Sequence, residues 1–89
     1  MLKIRISRKS QKFIKTLPPK QTRQIKTKLL ELLKEPYPAD SEKLTGYTFF
    51  RVDSGEYRII YRVEDDTMAI FLIGKRNDDA VYKQLKRLV

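Results

Sequence analysis

The sequence predicts an α+β domain. An antiparallel meander sheet with an added N-terminal strand carries two N-terminal helices on one face, and a short C-terminal helix follows. Three observations support this prediction: helical spacing of apolar residues in the first half, three β-branched and aromatic segments in the second, and helical spacing again at the end. The predicted order is β-α-α-β-β-β-α. With 89 residues, the chain can enclose one modest core, so residues 1–89 form a single domain.

The first strand and first helix are predicted from alternation and capping. Apolar and charged residues alternate over residues 2–6, which is typical of a half-buried strand. Ser7 is a suitable N-cap for a helix over residues 8–16. Pro18 and Pro19 end this helix, and Pro19 can occupy the first position of the next one.

The second helix has the clearest pattern in the chain. Its apolar residues recur at steps of three and four and form one stripe, composed of Thr22, Ile25, Leu29, Leu32 and Leu33. Basic residues occupy its other faces. Glu35 and Pro36 end the helix and open a loop.

The second half is predicted to be a meander followed by a helix. The strands are expected near residues 47–53, 57–63 and 67–75, with turns at residues 54–55 and 64–66. Either Asp78 or Asp79 is expected to cap the final helix, whose apolar residues are Val81, Leu85 and Leu88.

The charge is concentrated in the first half of the chain. The net charge is +9, yet residues 1–34 contain 11 basic residues and only Glu31 as an acid. Such a basic surface attracts polyanions, which favours a nucleic-acid partner. The alternative is a solubilising lysine-rich surface, which is common in small domains.

Missing residue types exclude several kinds of chemistry. The chain has no cysteine and no histidine, which excludes thiolate metal sites, histidine-based nucleases and a Ser-His-Asp triad. Its three glycines are scattered, so no glycine-rich phosphate loop exists. The acidic pairs at residues 65–66 and 78–79 occupy a predicted turn and a predicted helix start, where acids are expected for local reasons. We therefore expect no metal and no cofactor.

The apolar segments do not predict a membrane protein. The longest apolar run, residues 68–73, is too short to cross a bilayer, and the N-terminus lacks the apolar stretch of a signal peptide. We therefore expect a cytoplasmic protein without a membrane partner.

Arg51, Arg58 and Arg76 are the candidates for binding phosphate, because a guanidinium fork matches phosphate oxygens. Strand alternation directs Arg58 away from Tyr57. Each arginine could instead decorate the solvent face of the sheet. Gly74, beside Arg76, could let a ligand backbone come close. Tyr82 is a fourth candidate, although its spacing alone better fits a tyrosine at the edge of the core.

Three segments resemble a known family. The stretch SGEYRIIYRV, residues 54–63, resembles the central strand signature of the RelE/ParE toxin superfamily. The stretch IGKRNDDAVY, residues 73–82, is similar to the C-terminal segment of RelE toxins, and the turn KLTG, residues 43–46, also fits. The element order matches the superfamily, so the resemblance covers essentially the whole chain.

The resemblance implies roles for four residues. Arg58 would bind the scissile phosphate and stabilise the transition state, and Arg76 would assist the leaving 5′-oxygen. Tyr82 would stack on or orient the nucleotide and help to activate the 2′-hydroxyl, while Arg51 would add positive charge. The sequence departs from the pattern at Phe49, where some RelE proteins carry a second basic residue, so a lysine base is not implied.

The resemblance also implies a function and partners. It implies a type II toxin–antitoxin toxin that cleaves mRNA in the ribosomal A site by 2′-hydroxyl attack, without metal, and that binds a cognate antitoxin. The ribosome would position the message, and basic residues would contact RNA phosphates. Candidates for that contact are Lys20, Arg23, Lys26, Lys28 and Lys75. Two alternatives stay open: a ParE-like inhibitor of DNA gyrase that performs no chemistry, and an RNA-binding module without activity.

Overall fold

A mixed sheet lies between two N-terminal helices and one C-terminal helix. The computed structural model describes residues 1–77 and 80–88. Within them the elements are β1 (Lys3–Ile6), α1 (Arg8–Lys15), α2 (Pro19–Lys34), β2 (Glu42–Lys43), β3 (Phe50–Ser54), β4 (Tyr57–Glu64), β5 (Thr67–Lys75) and α3 (Ala80–Leu88). The predicted α+β class and element order are confirmed, with the two-residue strand β2 as an addition. The predicted caps, Asp78 and Asp79, and the side chain of Leu88 lie outside the described residues. None of these three helices is both long and apolar enough to span a membrane.

The sheet has the strand order β1-β5-β4-β3-β2 in the part of the chain that the structure describes. β3, β4 and β5 pair antiparallel, as the meander predicts, while β1 pairs parallel to β5. The predicted start of the first meander strand at residue 47 is wrong, because β3 begins at Phe50. The preceding residues form a tight turn in which the Leu44 amide donates to the Phe49 carbonyl at 2.9 Å.

Helices α1 and α2 cover one face of the sheet, as predicted. The Ser7 hydroxyl caps α1 by accepting a hydrogen bond from the Ser10 amide at 3.2 Å, and it donates to the Phe71 carbonyl of β5 at 2.7 Å. Pro19 begins α2. The buried residues of this side come from α2 and from alternate positions of the strands. They are Ile25, Leu29, Leu32, Leu33, Val52, Tyr57, Ile59, Tyr61, Met68, Ile70 and Ile73.

A β-bulge in β5 shifts the alternation of its side chains. Ile60 pairs with Leu72 and Tyr61 pairs with Ile70, so Phe71 is an extra residue without a partner in β4. As a result, Phe71 and Leu72 both pack on the α3 side of the sheet, whereas Ile70 lies on the α1–α2 side. The bulge therefore supplies two consecutive apolar residues beneath α3.

Helix α3 packs against the other face of the sheet, over a smaller core. The buried residues of this smaller core are Phe49, Ile60, Leu72, Val81 and Leu85. The helix approaches β5 so closely that a Cβ atom on Gly74 would lie 2.4 Å from Cγ2 of Val81. The interpretation of Gly74 as an opening for a ligand is therefore wrong, because α3 of the same chain occupies that space.

We expect Gly74→Ala to destabilise the fold, because its methyl group overlaps Val81 and α3 must shift. The expected loss is about 1–3 kcal/mol of unfolding free energy in urea titrations. Val81→Ala removes the overlapping methyl group, so Gly74→Ala should cost clearly less in that background. An equal cost in both backgrounds would show that the contact with Val81 is not the reason for the glycine.

Candidate functional site

A group of polar side chains lies on the α3 side of the sheet, where β3 ends and β4 begins. The two strands are joined by Gly55 and Glu56, and Gly55 adopts a φ of +60° that favours glycine. This turn pairs Ser54 with Tyr57 and therefore places Asp53 directly opposite Arg58. Ser54 contacts α2 by donating to the Gln24 carbonyl at 3.3 Å, so its neighbour Asp53 lies on the α3 side.

Arg58 is the centre of this group. Its Nε donates to Oδ1 of Asp53 at 2.8 Å, and its Nη2 donates to Oδ2 at 3.4 Å. Its Nη1 donates to the hydroxyl oxygen of Tyr82 at 2.8 Å. Only 15% of the side chain is exposed. Arg58 is thus a largely enclosed, hydrogen-bonded group and does not merely decorate the solvent face.

Tyr82 combines the two roles that its spacing left open. The half-buried ring packs against the edge of the core beneath α3. Its hydroxyl group accepts the bond from Arg58, and the guanidinium carbon of Arg58 lies 5.6 Å from the ring centroid. The helix therefore fixes the ring by packing and directs the hydroxyl group to a cation.

Arg76 and Arg51 flank the pair. The Arg76 amide donates to the Glu56 carbonyl at 3.0 Å, which ties the end of β5 to the β3–β4 turn. The Arg76 side chain is about half exposed, and its Nη1 lies 3.9 Å from Oδ2 of Asp53. Arg51 donates from Nη2 to Glu42 of β2 at 2.6 Å. The structure thus brings the predicted arginines to one surface, although Arg51 has its own carboxylate partner.

Asp53 was not predicted from the sequence, yet it contacts two of the predicted arginines. The hydrogen bond from Arg58 lowers the pKa of Asp53 below its usual value, and the charges of Arg58, Arg51 and Arg76 contribute in the same direction. In return, the Asp53 hydrogen bond raises the pKa of Arg58. A two-residue turn combined with strand alternation would have identified this carboxylate as the neighbour of Arg58.

The predicted RNA-contacting residues do not form one surface. Lys20 and Arg23 of α2 line a groove that reaches Asp53 and the β3–β4 turn. Lys28 lies in the same groove, but its Nζ is 2.9 Å from Asp40 and 3.9 Å from Glu31.

The other two predicted contacts lie apart from this groove. Lys26 lines a different depression, between α1 and α2. Lys75 is exposed and pairs with Tyr57 across the sheet, so alternation places it on the face opposite Gly74. Of the five residues, Lys20 and Arg23 are therefore the ones that continue the surface of the Arg58 site without a carboxylate partner among the described residues.

Phe49 belongs to the core. It is 5% exposed, and its ring stacks on Phe71 with the centroids 4.7 Å apart. The Arg62 guanidinium carbon lies 5.1 Å from the centroid of the Phe49 ring on the same side of the sheet. A residue with this packing supplies no base, so the acid–base groups of the site have to be sought elsewhere.

The site can bind a phosphate group by its arginines and offers a phenol beside them. Guanidiniums match phosphate oxygens in geometry and stabilise the added charge of a pentacovalent transition state. In residues 1–77 and 80–88, no group of three or more acidic side chains comes together to hold a metal ion. The guanidiniums and the phenol are by their own chemistry suited to charge stabilisation and orientation of a phosphodiester.

Comparisons with known proteins support one family. The family model described as the ParE toxin of the type II toxin–antitoxin system parDE matches residues 4–80. One solved structure is the RelE–RelB complex of Pyrococcus horikoshii OT3. Its matching chain is 27% identical to this chain, with a TM-score of 0.77 over 86% of this chain and 97% of that chain. A variant of Escherichia coli toxin RelE in the free state is 26% identical, with a TM-score of 0.78 over 99% of this chain and 98% of that chain.

A third solved structure, the intact E. coli RelBE toxin–antitoxin complex, is 25% identical, with a TM-score of 0.74 over 86% of this chain and 99% of that chain. The comparison with curated proteins gave no match. The family model covers most of the chain, and the free E. coli toxin shares its fold over 99% of this chain. The chain therefore belongs to the RelE/ParE superfamily of toxins of type II toxin–antitoxin systems.

Proposed function

We propose that this toxin is a metal-independent endoribonuclease that cleaves mRNA in the A site of the ribosome. The observation that carries the proposal is the 2.8 Å hydrogen bond from Nη1 of Arg58 to the hydroxyl oxygen of Tyr82, beside the half-exposed Arg76. This arrangement joins a phosphate-binding cation to a group that can handle a proton.

The proposed reaction is an in-line displacement at phosphorus. The 2′-oxygen of a nucleotide attacks the adjacent phosphorus, and a new P–O2′ bond forms while the P–O5′ bond breaks. The products are a 2′,3′-cyclic phosphate and a 5′-hydroxyl group. The 2′-hydroxyl, oriented by Tyr82, passes its proton to water, and the leaving 5′-oxygen takes a proton from water. Arg58 stabilises the charge on the phosphate oxygens, Arg76 stabilises the leaving oxygen, and Arg51 adds positive charge.

Tyr82 is the proposed proton-handling and orienting group. Its oxygen accepts a charge-assisted hydrogen bond from Arg58, and such a donor stabilises negative charge on the acceptor. The same hydroxyl group keeps its own proton for a bond to the substrate. The half-buried ring also offers a face on which a base can stack.

The ribosome is the proposed source of the remaining catalytic power. The site has no histidine, and the carboxylates of Asp53 and Glu42 offset part of the charge of its arginines. A substrate that is held with the 2′-oxygen in line removes much of the barrier that a free RNA would meet. Lys20 and Arg23, which line the groove beyond Asp53, are proposed to contact ribosomal or messenger RNA phosphates.

A cognate antitoxin is the second proposed partner. Two of the similar solved structures are toxin–antitoxin complexes with RelB, from P. horikoshii and E. coli. A nuclease that acts on ribosomes requires such control, and both partners would act in the cytoplasm.

Inhibition of DNA gyrase is the alternative function. It is favoured by the family model, which describes ParE toxins, and by the carboxylates that reduce the charge of the site. In that case the hydrogen bond between Arg58 and Tyr82 would serve only to hold α3 on the sheet.

The two functions are distinguished by adding the purified toxin to two reactions. We expect the message on programmed ribosomes to be cut, as seen by primer extension, and free message of the same sequence to be cut far more slowly. We expect supercoiling by DNA gyrase to continue. An intact message together with arrested supercoiling would reverse the assignment.

Replacement of Arg58 by lysine should reduce cleavage by about 100-fold or more, because a lysine provides one compact charge and cannot serve a phosphate and Tyr82 in the same geometry. Arg76→Ala should also depress cleavage strongly. Arg62→Lys is the matched control, since Arg62 lies on the same strand and the same face and pairs with Glu64. Equal losses in Arg58→Lys and Arg62→Lys would mean that the effect is not specific to the site.

Replacement of Tyr82 by phenylalanine separates proton handling from stacking. The ring remains, while the acceptor for Arg58 is lost, so we expect single-turnover cleavage to fall by about 10- to 100-fold with little change in ribosome affinity. Unchanged cleavage would remove the hydroxyl group from the mechanism and leave the ring as a stacking surface.

A further inference from the structure

We propose that Asp53 is a positioning residue of this site. Its carboxylate fixes the guanidinium of Arg58 so that Nη1 points to Tyr82, and it holds the guanidinium of Arg76 beside that of Arg58. The consequence for catalysis rests on the proposed nuclease function. The arrangement of the side chains can be tested without it.

The hydrogen bonds define one orientation of Arg58. Asp53 contacts one edge of the guanidinium, through Nε at 2.8 Å and Nη2 at 3.4 Å. Two bonds to one edge fix the plane of the group, and the Nη1 on the other side then meets Tyr82 at 2.8 Å. Because Asp53 and Arg58 are direct cross-strand partners, the short side chain of Asp53 is held by the sheet itself.

The charges explain why a carboxylate is needed there. Arg58 and Arg76 carry like charges, and Arg58 is mostly enclosed, so water screens their repulsion poorly. The Asp53 carboxylate contacts Arg58 and lies 3.9 Å from Nη1 of Arg76. Without it, Arg76 would be free to turn into solvent, and Arg58 would lose the bonds that set its plane.

The substrate has access to the remaining donors. Asp53 uses the Nε edge of Arg58, so a phosphate would approach the edge formed by Nη1 and Nη2. Arg76 is about half exposed, so part of its guanidinium is accessible to the phosphate while Asp53 lies beside it. Asp53 would then affect the rate of cleavage after the RNA has bound. An aspartate that acted only as a negative charge would instead weaken the binding of RNA.

The experiment compares Asp53→Ala and Asp53→Asn with Asp66→Asn. Asp66 is an exposed aspartate that pairs with Lys3 at 3.5 Å in the β4–β5 turn, so its replacement raises the net charge equally at a distant position. Single-turnover cleavage on programmed ribosomes gives the maximal rate and the toxin concentration for half-saturation. Thermal unfolding establishes that each variant is folded.

We expect Asp53→Ala to lower the maximal rate by about 10- to 100-fold without raising the half-saturating concentration. Asp53→Asn should be less affected, because its amide oxygen can still accept from Nε of Arg58. Asp66→Asn should cleave at the unaltered rate. A faster or unchanged maximal rate in Asp53→Ala would overturn the proposal. A higher half-saturating concentration with an unchanged maximal rate would overturn it as well.

A second measurement decides the positioning role even if the toxin cleaves no message. The Nε–H group of Arg58 should give a protected side-chain signal in ¹⁵N NMR spectra of the unaltered protein and of Asp66→Asn. We expect Asp53→Ala to lose this protection and to shift the ring signals of Tyr82. If the Arg58 and Tyr82 signals stay unchanged in Asp53→Ala, then Asp53 does not orient Arg58. Absent cleavage by the unaltered toxin would refute the nuclease function alone.

Discussion

The two-residue turn between β3 and β4 determines where the polar groups of the site lie. Gly55 and Glu56 make the turn short enough to pair Asp53 with Arg58. A shift of one residue in the pairing would place Arg58 opposite Val52 or Ser54, whose side chains lie on the α1–α2 side of the sheet. The two faces of the strand would then be exchanged. The bonds from Arg58 to Asp53 and Tyr82 therefore depend on backbone pairing before they depend on side-chain chemistry.

A second constraint is the close packing of α3 on β5. Gly74 allows Val81 to approach the sheet, and the bulge at Phe71 provides two apolar residues beneath the helix. This packing carries Tyr82 to Arg58, which is 24 positions earlier in the chain. The smaller core therefore helps to define the site. The distance between Arg58 and the Tyr82 hydroxyl group depends on how closely α3 packs on the sheet. A substitution that loosens this core should therefore also disturb the geometry of the site.

Local patterns in the sequence predicted most of the fold but only part of the site. Apolar spacing and capping residues identified α1 and α2, and β-branched segments bounded by turn residues identified the meander, because these signals act over a few residues. The bulge at Phe71 has no such signal, since Phe71 and Leu72 are both apolar and either could continue the alternation. Asp53 was missed for a related reason. An aspartate before a turn is explained by local preference, and its role depends on which residue the turn places opposite it.

The charges at the site and the charges on the N-terminal helices act over different distances. Three arginines meet two carboxylates at the site, whereas α1 and the first turns of α2 carry cations that form no ion pair within the described residues. Long-range attraction of a polyanion therefore originates on the helices, where salt screens it over about 8 Å at physiological ionic strength. Charges within the site interact at hydrogen-bond distance and are screened far less. If the toxin acts as proposed, ionic strength should accordingly control how fast it meets its RNA target, and it should leave the rate of the step after docking nearly unaffected.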